Sequence, residues 1–406
     1  MPKNKKTVVC LCGGGTGTHI LAGTIGSKEN FTVNVFTREP QKWTKEITVQ
    51  SPSENKEFVG KINIVSSNPE EVFQDCDIFI CNGPAMANPI YLKAMEPYLK
   101  DGAIIGSIFG QGGFDFAVLD IVGGRKEFEK RKLKVFSLKG IPWVCRTLEY
   151  GKSAKIVGKK ARLQMAAIPK TKGVENDLQV LCEELFGIPT VILPNMLCIT
   201  LVPGNQIIHS GRYYGLFSKW TRDIEYEEKD VPLMYQDFDD FSAEVTQKLS
   251  DELLLLKDGI IKKFPEIDLS PIIDLKDNIY AAYKDQVKDT TNLKSVFCTN
   301  AAYAGITTPM HKKDSGKVIP ALKARIFYED IPFGLLLLHN IGEILGIKTP
   351  TMDMCIFWAQ GFMNMQYLEK DGTLNPEAIQ DTGCPMKFGI KTIEQLVNNS
   401  LDWKQV

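Results

Sequence analysis

The hydrophobic pattern begins after a charged tail, with Thr7-Val8-Val9-Cys10-Leu11-Cys12 running straight into Gly13-Gly14-Gly15-Thr16-Gly17-Thr18-His19. Ile20, Leu21, Ala22 and Ile25 then follow at helical spacing. Strand, glycine turn and helix in that order predict a loop that cradles a dinucleotide pyrophosphate. Gly13 permits the tight turn, Gly15 keeps a Cβ away from the phosphates, and the helix starting near Gly17 offers free N–H groups to the anion. Thr18 stands where the G-x-G-x-x-G fingerprint has its third glycine, so the loop departs from the strict fingerprint and the close helix–strand packing that glycine allows is not assured there. Period-2 or short apolar runs predict further strands over Phe31–Thr37, Lys61–Ser66, Asp77–Cys81, Ala103–Ile108, Lys134–Leu138 and Ser153–Val157. With a helix expected from Asn88 to about Leu99, this alternation predicts a mostly parallel, doubly wound sheet.

The pattern changes at Phe186-Gly187-Ile188-Pro189. From Asn195 onward the apolar residues recur at helical spacing, as in Val245, Leu249, Leu253, Leu254, Ile260 and Ile261. Two more helices are expected over Phe333–Leu345, with Pro332 at the first helical position, and over Asp353–Tyr367. The reading is therefore a Rossmann-type domain over 1–190 and an all-helical substrate or catalytic domain over 191–406, with ligands expected between them.

Composition narrows the choice of partners. The chain has 406 residues, 44% hydrophobic and 24% charged, with a net charge of −1. That balance gives no bulk attraction for nucleic acid, and Lys3, Lys5 and Lys6 read as a solubilising tail. The apolar runs Val191–Val202 and Leu335–Leu338 are short of the roughly 20 residues needed to span a bilayer. No signal peptide is read at the start. Ten scattered cysteines, with no paired C-x-x-C, argue against zinc or any other metal and for reduced thiols in the cytoplasm.

Past the second strand, Thr37-Arg38-Glu39 stands where the ribose end of a dinucleotide is read. Arg38 could stack on adenine or meet a 2′-phosphate, and Glu39 could take the ribose hydroxyls, so NADH and NADPH both stay open. Gln111-Gly112-Gly113-Phe114 follows the fifth strand and would face the nicotinamide. Four histidines are available for acid–base work. His19 is expected to pack or cap, His311 to be solvated, and His339 to be a satisfied core residue. His209 is the remaining candidate; Asn205 lies four residues before it and would share its helix face. Arg325 offers a fork for a substrate carboxylate. Asp330, read as lying just before a helix, could orient an imidazole and stabilise its protonated form.

These residues, with Ile141-Pro142-Trp143-Val144-Cys145-Arg146, Thr299-Asn300-Ala301-Ala302-Tyr303 and Cys384-Pro385-Met386-Lys387-Phe388-Gly389, resemble the opine dehydrogenases, nearest the octopine dehydrogenase branch of marine invertebrates. The resemblance implies a Rossmann domain with a helical octopine/nopaline dehydrogenase domain, reductive condensation of pyruvate with an amino acid using NADH, and a monomer. It matches His209 to the catalytic histidine, Asp330 to its acidic partner, Arg325 to the arginine that holds the 2-oxo acid, and Gly13, Gly15 and Thr18 to the nucleotide loop. Cys145 reads as a structural neighbour, because hydride transfer needs no nucleophile. Lys139, where an arginine-specific pocket would call for an acid, and the lack of tryptophan over Asp277–Tyr283 point to alanine, glycine, β-alanine or taurine as the amine. Two rivals share the pattern. Another two-domain 2-oxo or 2-hydroxy acid reductase would turn over a keto acid without amine, and a nucleotide-sensing binding protein would have lost the relay.

Overall fold

The computed structural model of the protein describes residues 6–401, so Lys3 and Lys5 of the tail lie outside it. The chain divides into two compact units. The first runs to Thr200 and takes back the segment from Val397; the second is Leu201–Leu396. The division falls ten residues after the change in hydrophobic pattern at 190, because the strand Thr190–Ile192 still pairs inside the first unit. The C-terminal return is fixed there by Arg125 Nη1, which donates to Asn398 Oδ1 at 2.7 Å, and by Ser400 Oγ, which accepts the Leu197 N–H at 3.3 Å.

In the first unit the strands are β1 (Thr7–Cys12), β2 (Phe31–Phe36), β3 (Glu46–Ser51), β4 (Lys56–Ser66), β5 (Ile78–Cys81), β6 (Ile104–Ser107), β7 (Lys134–Leu138), β8 (Trp143–Glu149), β9 (Ser153–Lys159), β10 (Leu163–Ile168) and β11 (Thr190–Ile192). The helices are α1 (Thr16–Gly26), α2 (Pro69–Phe73), α3 (Asn88–Met95), α4 (Phe114–Ile121), α5 (Arg125–Lys130), α6 (Lys172–Phe186) and α7 (Leu197–Thr200). They build a sheet in the order β11-β10-β7-β6-β5-β1-β2-β4-β3-β9-β8. From β7 across to β4 neighbouring strands are parallel, and Val9, Cys10, Leu11, Ile78, Phe79 and Ile80 are buried whichever way they point. Strand order reverses at β1, which is where an open α/β sheet takes its ligand.

Several strands escape the sequence reading. The pairs β3–β4 and β8–β9 are antiparallel, and β10 runs antiparallel to β7. The Trp143-Val144-Cys145-Arg146 motif is the edge strand β8, where the burial pattern alternates without a full apolar run. Close approach of α1 to the sheet comes further along the helix. A Cβ on Gly60 of β4 would stand 2.2 Å from the Ala22 carbonyl oxygen, so helix and sheet meet backbone to backbone there.

The second unit holds α8 (Asn205–Phe217), α9 (Asp240–Lys263), α10 (Leu275–Tyr283), α11 (Leu293–Thr299), α12 (Leu336–Leu345), α13 (Pro350–Met363) and α14 (Ile393–Val397), the last ending at the border with the first unit. It adds one small ladder, β12 (Met310–Lys312) with β13 (Val318–Pro320), to the helices the pattern foretold. Pro332 does not open a helix. It sits inside a π-helix over Ile326–Leu335 that leads into α12, so Asp330 lies within a helix and not ahead of one. The Leu336 N–H reaches back five residues to the Ile331 carbonyl, the mark of the wider turn. No helix among the described residues is long and apolar enough to cross a membrane.

Small residues let these helices close on α8. A Cβ on Gly211 would lie 2.2 Å from Thr246 Oγ1 on α9, and one on Gly334 would lie 2.3 Å from the Gln206 Cβ. Gly334→Ala is therefore expected to lower the stability of the chain by about 1–3 kcal/mol through overpacking. Gly361→Ala on α13, where a Cβ meets nothing within 4 Å, should be neutral or stabilising by up to about 1 kcal/mol. Denaturant unfolding of the two variants checks this, and equal stabilities would contradict it.

Candidate active site

The four histidines separate by environment. His19 is buried in α1 and packs as expected. Its Nδ1–H donates to the Gly15 carbonyl at 2.9 Å, its Nε2 accepts the Gly151 N–H at 2.7 Å, and its ring lies 4.2 Å from Trp43. Burial lowers its pKa against the opposing pull of the Gly15 bond. His311 is exposed on β12. His339 is buried on α12, with Nδ1 at 2.7 Å from Asp353 Oδ1 and Nε2 at 3.6 Å from Glu343 Oε1. Burial disfavours its charged form, but the two carboxylates outweigh that and raise the pKa to about 9.

His209 is built differently. Along the first turns of α8 the accessible positions are Asn205 and His209, one turn apart, while Gln206, Ile207, Ile208 and Ser210 are buried. The His209 side chain keeps 19% exposure, enough for a substrate to reach it. Its Nδ1 stands 2.9 Å from Asp330 Oδ2 of the π-helix, and its Nε2 stands 3.0 Å from the Tyr235 hydroxyl. With Asp330 as carboxylate, Nδ1 carries the proton and Nε2 receives the Tyr235 O–H. Burial, with the neighbouring Tyr283 phenol and the Asp330 carboxylate adding to it, pushes the Tyr235 pKa far up and keeps that hydroxyl protonated. Tyr235 lies in a loop before α9, in Met234-Tyr235-Gln236, where no periodicity signals it.

The π-helix accounts for the company Asp330 keeps. Arg325 caps the start of the π-helix, and its wider turn leaves Glu329 and Asp330 on the side toward Arg325, where the Asp330 charge acts on the guanidinium. Arg325 is exposed, but its fork is not idle. It clasps the buried Glu329, Nη2 to Oε1 at 2.9 Å and Nε to the other carboxylate oxygen. Burial around the guanidinium lowers its pKa and the Asp330 charge works against that.

In the first unit, the nucleotide loop keeps the geometry its sequence foretold. Gly13 has φ +133, a conformation that favours glycine. A Cβ on Gly15 would touch no protein atom within 4 Å, so protein packing does not explain that glycine. Gly15 is also the N-cap of α1 and supplies no side-chain cap, leaving the Thr16 and Gly17 N–H groups ahead of the first helical bonds. A cradle that a side chain would fill, at an uncapped helix N-terminus, fits a pyrophosphate. Thr18 is buried and accepts the Asn82 amide at 3.0 Å, which ties the loop to the turn after β5. Gly14 and Gly17 lie tight against Thr37 and Asn82.

The remaining expected residues sit as follows. Arg38 is exposed at the end of β2. Glu39 is exposed and pairs with Lys42, with Tyr150 also near it, and these partners lower its pKa. Gln111 is buried in the turn between β6 and α4. Lys139 is half-buried after β7, and burial lowers its pKa; burial lowers that of Lys160 too, with the Lys139 ammonium adding to the effect. Burial raises the Cys145 thiol on β8, which suits packing better than nucleophilic attack.

A dinucleotide cradle on a parallel sheet, with a carboxylate–imidazole–phenol array in a helical unit, defines a two-domain nicotinamide-dependent dehydrogenase. The family model for the NAD/NADP octopine/nopaline dehydrogenase alpha-helical domain matches residues 192–363, which include His209, Tyr235, Arg325 and Asp330. The chain is 32% identical to an opine dehydrogenase of Haliotis discus hannai, over 97% of this chain and 99% of that one. Octopine dehydrogenase bound to NADH and L-arginine superposes with a TM-score of 0.86 at 28% identity, covering 96% of this chain and 98% of that one. The same enzyme bound to NADH and pyruvate gives 0.83 at 28% identity, covering 97% and 98%. The chain belongs to the opine dehydrogenase family of NAD(P)-dependent oxidoreductases.

His339 supplies a test of the electrostatics outside the site. Its pKa is raised on folding from 6.5 to about 9, so its contribution to stability is complete below pH 6.5 and is lost as pH rises through about 9. The stability difference between wild type and His339→Gln, followed by denaturant unfolding, should shrink across that window. A difference independent of pH would contradict the pairing.

Proposed function

We propose that this protein catalyses the reductive condensation of pyruvate with an amino acid, consuming NADH and a proton and releasing an opine, NAD and water. The observation that carries the reading is the His209 imidazole held between the Asp330 carboxylate and the Tyr235 hydroxyl. Asp330 fixes the ring's tautomer and stabilises its protonated form. Nε2 then takes up or gives the proton that the carbonyl oxygen and the nitrogen exchange as water leaves and the secondary amine forms. Arg325 binds the 2-oxo acid carboxylate through guanidinium hydrogens not engaged with Glu329, and so orients the carbon to be reduced. Asn205, one turn before His209 on the accessible face of α8, contacts the substrate.

Gly13, Gly14, Gly15, Thr16, Gly17 and Thr18 hold the pyrophosphate, with Arg38 at the adenosine end and Gln111 toward the nicotinamide. When bound, the dinucleotide supplies the hydride. The cofactor is NADH, and the protein acts as a monomer in the cytoplasm. Lys139 makes the amine a small amino acid or taurine. Two ammonium groups, Lys139 and Lys160, act on each other there, and a guanidinium would add a third positive charge.

NADH oxidation with pyruvate and a panel of arginine, alanine, glycine, β-alanine and taurine tests both parts. Oxidation is expected only when pyruvate and an amine are both present, with a small amine faster than arginine. Oxidation by pyruvate alone would make the protein a keto-acid reductase, and saturating turnover of arginine with little from the small amines would overturn the amine assignment. His209→Ala is expected to lower kcat by about a hundredfold or more; near-normal activity would remove it from the mechanism.

A further inference from the structure

Arg212 is the largest side chain fully withdrawn from solvent, and the reaction as described does not use it. It sits three residues after His209 on α8, so the two share one rigid element. Its guanidinium spends every donor it has. Nε–H donates to the Met234 carbonyl at 3.0 Å, and Nη2 donates to the Leu233 and Asp237 carbonyls at 2.8 and 2.9 Å. Nη1 donates to Asp239 Oδ2 at 2.6 Å and to Ser242 Oγ at 3.0 Å. A guanidinium offers five N–H groups in a fixed planar fork, so the set is complete. The plane also lies over the Phe238 ring, 4.9 Å from its centroid.

Three of those acceptors are backbone carbonyls on either side of Tyr235. Across the loop from Leu233, a β-bridge to Thr307 and the Met234 N–H on the Ile306 carbonyl at 2.9 Å hold the entry to Tyr235, and among the described residues only Arg212 grips carbonyls on both sides of it. The ring of Tyr235 is held separately, stacked 4.3 Å from Tyr303 and 6.0 Å from Phe297. Backbone clamped by Arg212 and ring clamped by its aromatic neighbours leave the hydroxyl one place to go, 3.0 Å from His209 Nε2. Burying a guanidinium is expensive unless it is paired and hydrogen-bonded throughout. Here the expense yields a loop locked to the same helix that carries the imidazole.

We infer that Arg212 is a positioning residue, whose guanidinium sets the distance between the Tyr235 hydroxyl and His209 Nε2 by gripping the carbonyls of Leu233, Met234 and Asp237. The inference rests on the opine dehydrogenase reading for its kinetic consequences, though not for its geometry. Lysine cannot replace the fork, because it presents three donors from a single point.

The test is a double-mutant cycle of Arg212→Lys with Tyr235→Phe, read in kcat, KM and the His209 15N resonances. Arg212→Lys alone should lower kcat roughly 10- to 100-fold by misplacing the hydroxyl, with KM within about twofold. In the Tyr235→Phe background the same change should cost less than about threefold, because the group it positions is gone. The His209 Nε2 resonance should shift in substrate-free Arg212→Lys while those of His311 and His339 stay in place. A full, additive loss of kcat in the Tyr235→Phe background, or an unmoved Nε2 resonance, would overturn the assignment. If Arg212→Lys does not fold, Asp239→Asn, which loosens one arm of the fork, should show the same non-additivity at smaller amplitude, and additivity would again overturn it. Absence of amine-dependent turnover in the wild type would defeat the reaction assignment alone, since the resonance of Nε2 tests the clamp without substrate.

Discussion

The contact between His209 Nδ1 and the Asp330 carboxylate is the constraint around which the helical unit is arranged. Two side chains 121 residues apart meet at 2.9 Å because their helices pack directly on one another. Gly334 lets the π-helix settle against Gln206, and Gly211 lets α8 settle against Thr246 of α9. The π-helix that carries Asp330 also carries Glu329, which Arg325 at its N-cap clasps. The places of His209, Asp330 and Arg325 are thus set by the helices that carry them.

The first unit solves a different problem with the same economy of side chains. A dinucleotide needs bare N–H groups at a helix end, and Gly15 leaves that end of α1 without a cap. The loop is kept in shape from outside, by Asn82 on Thr18 and by the Gly151 N–H on His19. Backbone approach at Gly60 holds α1 to the sheet. Neither anchor occupies the N–H groups that an anion would use.

Much of this was legible in the sequence. The glycine loop after an apolar strand and the parallel alternation rest on signals with a direct physical cause, φ freedom and burial on both faces; the scarcity of histidine singled out His209, and its pairing with Asp330 came from the family resemblance. What stayed hidden has causes as well. Pro332 reads as a helix start because proline has no N–H to give, and nothing local announces a π-helix that tolerates it. Tyr235 sits in a loop, where no period marks a functional side chain. Arg212 resembles any charged helix residue until the loop folds over it. Glu39 and Arg325 were read as open to ligands, and the partners that engage them, Lys42 with Tyr150 and Glu329, are set by tertiary and helical neighbours.

The account stands on one proton. Neutral imidazole in water favours the Nε2–H form, whereas the geometry here requires Nδ1–H on His209, donated to Asp330. With four histidines in the chain, 15N-labelled imidazole spectra can be assigned by substitution, and His209 can be read at a pH where its ring is neutral. A protonated Nδ1 in the wild type, reverting toward Nε2–H in Asp330→Ala, is the predicted result. An Nε2–H tautomer in the wild type, unmoved by the loss of Asp330, would contradict the site as described.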